Sequence, residues 1–257
     1  MKYRKRIAII LSLLLILCNT VVVAAKEESE SPKAYVKVTS SLNVREGPST
    51  RYSKVAKLKP GDLVSVVETT KDGWSKVILP DGAEGYVSNE YIVIPEYDAE
   101  KYEIISSAVI TQRSSSSNRN FNMAKACEGI NGLELQPGDE FNWYGDEDTE
   151  AVVGPANKAN GYKQATVISG GKYVKGYGGG VCQVSTAVYN CILKLGIEPT
   201  ERHKHSLQSS YVAKGMDATV SYPNKNFVFT NTLEYPIMFE AYTDGGQVII
   251  LAYEVLD

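Results

Sequence analysis

Between Ala34 and Pro95 the chain runs in short alternating segments, Tyr35 to Val38, Leu63 to Glu68, Ser75 to Leu79 and Gly85 to Val87. They are broken at Gly47-Pro48, Pro60-Gly61, Asp72-Gly73 and Asp81-Gly82. Period-two runs this short, with a turn signal about every ten residues, have no room for helices and specify a small all-β barrel. After the acidic stretch Glu96 to Glu103 the pattern changes. Asn122 to Gly129 reads as a short helix, and Val181 to Leu195 as a better one, opened by Gly178-Gly179-Gly180 and closed at Gly196. Asp217 to Tyr222, Phe227 to Asn231, Pro236 to Thr243 and Gln247 to Glu254 alternate as strands, and Asp244-Gly245-Gly246 joins the last two in a hairpin. The expected fold class is therefore α+β: an all-β barrel over 34–95, followed over 96–257 by an α+β domain with a C-terminal antiparallel sheet.

A chain of 257 residues suffices for two modest domains, and 43% hydrophobic against 22% charged residues argues for a globular protein. The charge is uneven. Lys2, Arg4, Lys5 and Arg6 form a basic head, and the remainder carries 23 basic against 30 acidic residues. Nothing downstream offers the basic surface that phosphate binding needs, so nucleic acid is not an expected partner. Behind the basic head, Ile7 to Leu17 is apolar, and Val23 and Ala25 suit the small-residue positions before a signal-peptidase cut. Residues 1–25 thus read as a secretory signal and 26–33, KEESESPK, as a polar linker. The rival reading is an uncleaved anchor, since Ile7 to Ala25 just reaches the length of a membrane span; only then is the membrane a partner. A lipid-attachment site at Cys18 is disfavoured by the bulky Leu17 before it. Either way the two domains work in an exported compartment, secreted or held in the cell envelope.

Without the leader three cysteines remain, Cys127, Cys182 and Cys191, an odd number that leaves at least one thiol unpaired. Cys182 sits in the first turn of the better helix, behind three glycines that let backbone approach a ligand closely. Helix starts present unpaired N–H groups and a positive dipole end, which favour thiolate over thiol. Cys182 therefore has the setting of an activated nucleophile, and the N–H groups of Cys182 and Gln183 are candidates for an oxyanion hole. Cys191 belongs to an apolar stripe with Val184, Val188, Ile192 and Leu195. Nine residues of helix, roughly 13 Å of rise, rule out a disulfide between Cys182 and Cys191, whereas a Cys127–Cys191 bridge stays open.

The chain's two histidines, His203 and His205, both lie in Glu201-Arg202-His203-Lys204-His205-Ser206. An extended segment puts both on one face, so either is a candidate base while the other orients it or binds substrate. Ser206 and Asp217 are the candidate orienting partners, and Arg202 is a candidate to hold a substrate carboxylate. His203, His205 and Cys182 would also make three zinc ligands with a fourth position open, but no other metal motif accompanies them.

Two resemblances sharpen this reading. Leu42-Asn43-Val44-Arg45-Glu46-Gly47-Pro48-Ser49, Gly73-Trp74-Ser75-Lys76-Val77, Gly85-Tyr86-Val87 and Tyr91 resemble, in order, the bacterial SH3-like (SH3b) family, which implies a cell-wall targeting module. Trp74 and Tyr86 are read first as core filling and second as a ligand groove. Pro137 to Asn142, Gly161 to Ala165, Gly178 to Thr186 with Tyr189-Asn190, Glu201 to Ser206 and Gly215 to Val220 resemble the VanW family. That family is named for genes accompanying glycopeptide resistance, and some members are linked to L,D-transpeptidation of peptidoglycan. The resemblance gives the nucleophile's role to Cys182; the residues themselves make His203 and His205 the other catalytic candidates and Arg202, Gly179, Gly180, Gln183, Ser206 and Asp217 the substrate-binding candidates. It implies peptidoglycan stem peptides as partners and no cofactor. The alternatives are a cysteine or zinc peptidase cutting the same stems, and a non-catalytic wall-binding protein.

Overall fold

The computed structural model describes residues 31–112 and 116–256; the leader and most of the linker lie outside the described residues. No helix among the described residues is long and apolar enough to cross a membrane.

The N-terminal barrel consists of β1 (Lys33–Val36), β2 (Leu42–Arg45), β3 (Lys54–Leu58), β4 (Leu63–Thr69), β5 (Trp74–Ile78), β6 (Glu84–Ser88) and β7 (Ile92–Val93), in the order β3-β2-β6-β5-β4-β1-β7. Its core is aliphatic, built on Ala34, Val36, Val44, Val64, Val77 and Val87. Trp74 and Tyr86 are not part of it. Ser75 and Val77 point inward on β5, so alternation turns Trp74 and Lys76 outward, and both aromatics stay partly exposed rather than filling the core.

The second domain is built on the antiparallel sheet β8-β15-β14-β9, formed by β8 (Tyr102–Thr111), β9 (Leu133–Leu135), β14 (Ile237–Asp244) and β15 (Gln247–Val255). The run Val248 to Tyr253 is buried on both faces. Val248, Ile250 and Ala252 join the core beneath the helices α1 (Ser117–Ile130) and α2 (Val181–Leu193). Ile249, Leu251 and Tyr253 join a second cluster with Tyr35 of the barrel and Ile104 and Val109 of β8. Two short pairs complete the fold, β10 (Glu140–Asn142) with β13 (Val228–Thr230), and the hairpin of β11 (Gln164–Ser169) and β12 (Lys172–Tyr177). Asp217 to Tyr222, expected as a strand, contributes only isolated bridges, His203 to Thr219 and Ser221 to Lys225.

The barrel is docked on the sheet rather than loosely tethered. Tyr35 and Tyr242 share a hydroxyl contact of 2.6 Å, and Lys33 and Lys37 pair with Glu103 and Asp244. The Gly61 carbonyl of the barrel accepts from Ser107 Oγ at 2.8 Å and from Lys194 Nζ at 2.5 Å. Lys194 caps the C-terminal end of α2, so the barrel reaches the far end of the helix that starts at Cys182.

Candidate active site

The glycine run and α2 bring Cys182 to the floor of a cleft of about 1220 Å³. The three glycines answer to the protein itself rather than to a ligand. A Cβ on Gly178 would meet Ala156 Cβ at 2.5 Å, on Gly179 the Thr166 carbonyl at 2.6 Å, and on Gly180 Arg119 Cγ and Met123 Cγ at 2.9 Å. Gly178 and Gly180 also hold φ of 74° and 113°, where a side chain is strained. Fully buried Asn122 of α1 fixes the run, donating to the Gly179 carbonyl at 3.1 Å and to Lys163 O at 2.9 Å.

Polar side chains on α2 then position the opposite wall. Ser185 and Thr186 both donate to Ala218 O, at 2.7 and 3.2 Å, and Asn190 donates to Met216 O at 2.8 Å. From the other side Arg202 donates to Asp217 O at 2.7 Å and to Gly215 O at 3.2 Å while its guanidinium lies over the Tyr189 ring. The Thr219 N–H donates to His203 O at 2.8 Å, which sets residues 203–205 beside 217–219.

The result is a chain of three groups. Cys182, partly exposed, interacts with the His205 imidazole. His205 Nδ1 meets Asp217 Oδ2 at 2.6 Å, and the same oxygen accepts the His205 backbone N–H at 2.7 Å. An ionised carboxylate at Nδ1 assigns the ring proton there and leaves Nε2, 3.5 Å from the Tyr211 hydroxyl, for the thiol. The thiol also sits 3.3 Å from Thr219 Oγ1 and 3.4 Å from the Val220 carbonyl.

Each group is shifted by its neighbours. Burial alone would raise the Cys182 pKa, but the hydrogen bond and charge of His205, with help from Thr219, outweigh it and hold the thiol below its ordinary value. Burial would likewise lower His205, and Cys182 and Asp217 together reverse this and hold the imidazole above its usual value. Asp217 is opposed by its own desolvation and still held low by its bonds with His205. Both shifts favour the thiolate and the imidazolium over the neutral forms.

Several expected residues fall elsewhere. His203 turns away, its Nε2 2.8 Å from Glu201 Oε1 in a half-exposed pair, whereas the His205 and Asp217 side chains are each 7% exposed. Being two residues apart does not bring both rings into the cleft, because the segment makes only isolated bridges, at Glu201 and His203, and is no regular strand. Arg202 does not line the cleft, its guanidinium being taken up by backbone carbonyls. Gln183 is fully buried and acts within the protein, donating to Ile110 O at 2.9 Å and accepting from Arg119 Nη2 at 3.1 Å. Its backbone N–H donates to Gly180 O at 2.9 Å, so only the Cys182 N–H of the expected oxyanion pair is left, one of the first-turn donors without an intrahelical acceptor. Gly179, Gly180 and Ser206 do line the cleft, and Asp217 orients the histidine rather than touching substrate. Among the described residues no three His, Cys, Asp or Glu side chains converge as a metal site, so the zinc alternative lacks its donor set. Cys127 and Cys191 are buried free thiols, pushed up to about 12 and about 11 by desolvation, and no bridge joins them.

Sequence reasoning missed Arg119, the cleft phenols Tyr144 and Tyr211, and the helix residues Ser185, Thr186 and Asn190. Polar residues on an otherwise apolar central helix were the available signal for the last three, since buried hydroxyls and amides need partners.

The comparisons agree with this architecture. A family model described as VanW like protein matches residues 118–253, and one described as Bacterial SH3 domain matches 40–93. The chain is 32% identical over 169 residues to the uncharacterized protein YoaR of Bacillus subtilis, covering 64% of this chain and 54% of that protein. It is 30% identical over 109 residues to the vancomycin B-type resistance protein VanW of Enterococcus faecalis, covering 40% and 38%. It is also 36% identical over 67 residues to the probable endopeptidase p60 of Listeria innocua, covering 26% and 14%. The chain thus spans about half the length, or less, of these curated relatives. A family match across more than half of the chain, over the domain that carries the Cys182 cleft, places this protein in the VanW family, with a bacterial SH3 domain in front.

Proposed function

We propose that this protein is a cell-wall enzyme, a cysteine acyltransferase of L,D-transpeptidase type that joins peptidoglycan stem peptides through a Cys182 thioester. The observation that carries the reading is the Cys182, His205 and Asp217 chain at the start of a buried helix, opening on a cleft large enough for a peptide. Cysteine with a histidine base and a carboxylate orienter is the arrangement that nucleophilic acyl chemistry requires.

In the first step Cys182 Sγ bonds to the carbonyl carbon of the donor's third residue. The Cys182 N–H and the Tyr144 phenol, kept protonated by burial, donate to the developing oxyanion. As the tetrahedral species collapses, the carbon–nitrogen bond breaks and the His205 imidazolium gives its proton to the departing amine. In the second step the side-chain amine of an acceptor stem attacks the thioester, its proton passes to His205 Nε2, and the thiolate leaves. The SH3 domain, together with the likeness to a vancomycin resistance protein and to a probable endopeptidase, supports a cell-wall setting linked to glycopeptide resistance.

Incubating the purified protein with disaccharide-tetrapeptides and analysing the products by mass spectrometry tests the reading. Dimers joined through the third residues, absent with Cys182→Ala, are the expected result. Cysteine-dependent shortening of the stem without dimers would make water the acceptor and the protein a peptidase. Identical mixtures with both proteins would refute acyl chemistry and leave a wall-binding protein.

A further inference from the structure

Among the described residues, those that line the Cys182 cleft include two cations besides His205, Arg119 and Lys225, and no Asp or Glu. Arg119 is the one that reaches the nucleophile. Its stem packs against Gly180, its Nη2 donates to Gln183 Oε1 at 3.1 Å, and its charge acts on the Cys182 thiolate. The remaining fork is not used up. Arg119 Nε is buried without a hydrogen-bond partner among the described residues. A second polar atom in the same cleft shares this condition: Ser209 is 4% exposed and its hydroxyl is also unpartnered. Buried donors without acceptors are costly, and a cationic fork with a free N–H, in a cleft that also holds an unpartnered hydroxyl, suits a planar anion.

We propose that Arg119, assisted by Ser209, is a carboxylate-recognition site that confines the acyl donor to peptides whose departing residue ends in a free carboxylate. The proposal rests on the acyl-transfer reading and adds the donor's class: the leaving group is a single terminal amino acid, so internal peptide bonds and amidated ends are refused. The acceptor amine enters once the leaving amino acid has vacated the site.

The test measures binding and turnover separately. With Cys182→Ala protein, a stem tetrapeptide with a free terminal carboxylate is titrated against its C-terminal amide by calorimetry. Charge-assisted hydrogen bonds at a desolvated site give an expected preference for the acid of about tenfold to a hundredfold. Adding Arg119→Gln should bring the ratio to within about threefold of unity, and Arg119→Lys, a point charge without the planar fork, should fall between. Equal affinity for acid and amide, no binding of either, or a preference that survives Arg119→Gln would overturn the proposal. Because the readout is a ratio within one protein, a partly unfolded variant does not mimic the result, and Arg119→Lys carries the test if Arg119→Gln fails to fold. Turnover of the acid by the cysteine-intact protein is scored apart. An Arg119-dependent preference without Cys182-dependent turnover would sink acyl transfer and leave the carboxylate site standing.

Discussion

Replacing Asp217 by asparagine tests whether the buried carboxylate sets the state of the nucleophile. The introduced amide would still accept the His205 backbone N–H through its oxygen, so the loop keeps its anchor. What is lost is the charge at 2.6 Å from Nδ1, in a pair whose side chains are each 7% exposed. Hydrogen bonds to charged groups are worth about 1.5–3 kcal/mol, which corresponds to about one to two pKa units of imidazolium stability. In the wild-type protein the thiol is held low and the imidazole high, and both shifts widen the pH interval in which the thiolate–imidazolium pair is populated. Its population falls as pH drops below the depressed thiol value. Losing the Asp217 charge weakens the imidazolium and lets the thiol rise, so the acid edge of this interval moves to higher pH by about one to two units. The assay is the rate of Cys182 alkylation by iodoacetamide as a function of pH, followed by intact mass. At mildly acidic pH, Asp217→Asn should react about tenfold to a hundredfold more slowly than wild type, converging at alkaline pH. His203→Gln should leave the profile in place, because His203 pairs with Glu201 away from the cleft. Superimposed profiles for wild type and Asp217→Asn, or a profile displaced by His203→Gln alone, would refute the assignment.

Two further outcomes concern the scaffold. Gly180→Ala would place a methyl 2.9 Å from Arg119 Cγ and Met123 Cγ at a φ of 113°, and should lower stability by about 1–3 kcal/mol in chemical denaturation; an unchanged midpoint would mean that α1 yields at no cost. Lys194→Met removes the donor to Gly61 O and Ser107 O from a side chain 40% exposed, and should cost about 1 kcal/mol, read as a melting temperature lower by about 2–4 °C in one cooperative transition; a separate low-temperature transition of the barrel would contradict the docked arrangement.

Legibility followed the range over which each feature is determined. Four of the barrel strands, β1, β4, β5 and β6, and both helices came from periodicity and turn residues, which are local. The central β15 was legible as a strand, but its burial on two faces depends on the barrel packing behind it. A run such as Val248 to Tyr253 already carries that information, because a strand covered on one side alternates and this one does not. Cys182 was legible because a glycine run before a helix is a local signal, although the reason for the glycines proved to be the close approach of Arg119, Met123, Ala165 and Ala156. The choice between His203 and His205 was not legible. It depends on Thr219 bridging to His203 and Asp217 turning toward His205, contacts between segments that are far from regular strands. Arg119 was missed for the same reason, since it lies 63 positions before the cysteine and is bound into the cleft by Gln183, itself read as a substrate contact.

Gln183 shows how one side chain joins the parts of this site. Its amide donates to the β8 carbonyl of Ile110 and to Gly246 at 3.3 Å in the β14–β15 turn, while its oxygen holds Arg119. The helix start that carries Cys182, the sheet on which the barrel is docked and the Arg119 guanidinium are thus tied through a single buried amide, all of whose polar atoms are in use. At the other end of the same helix Lys194 is fixed to the barrel's Gly61. The helix is held at both ends by groups that leave it little freedom to shift, which favours a preformed nucleophile over one assembled by substrate. In that arrangement the SH3 domain and the helix that carries Cys182 pack on opposite faces of one sheet, so the barrel backs the layer on which that helix rests.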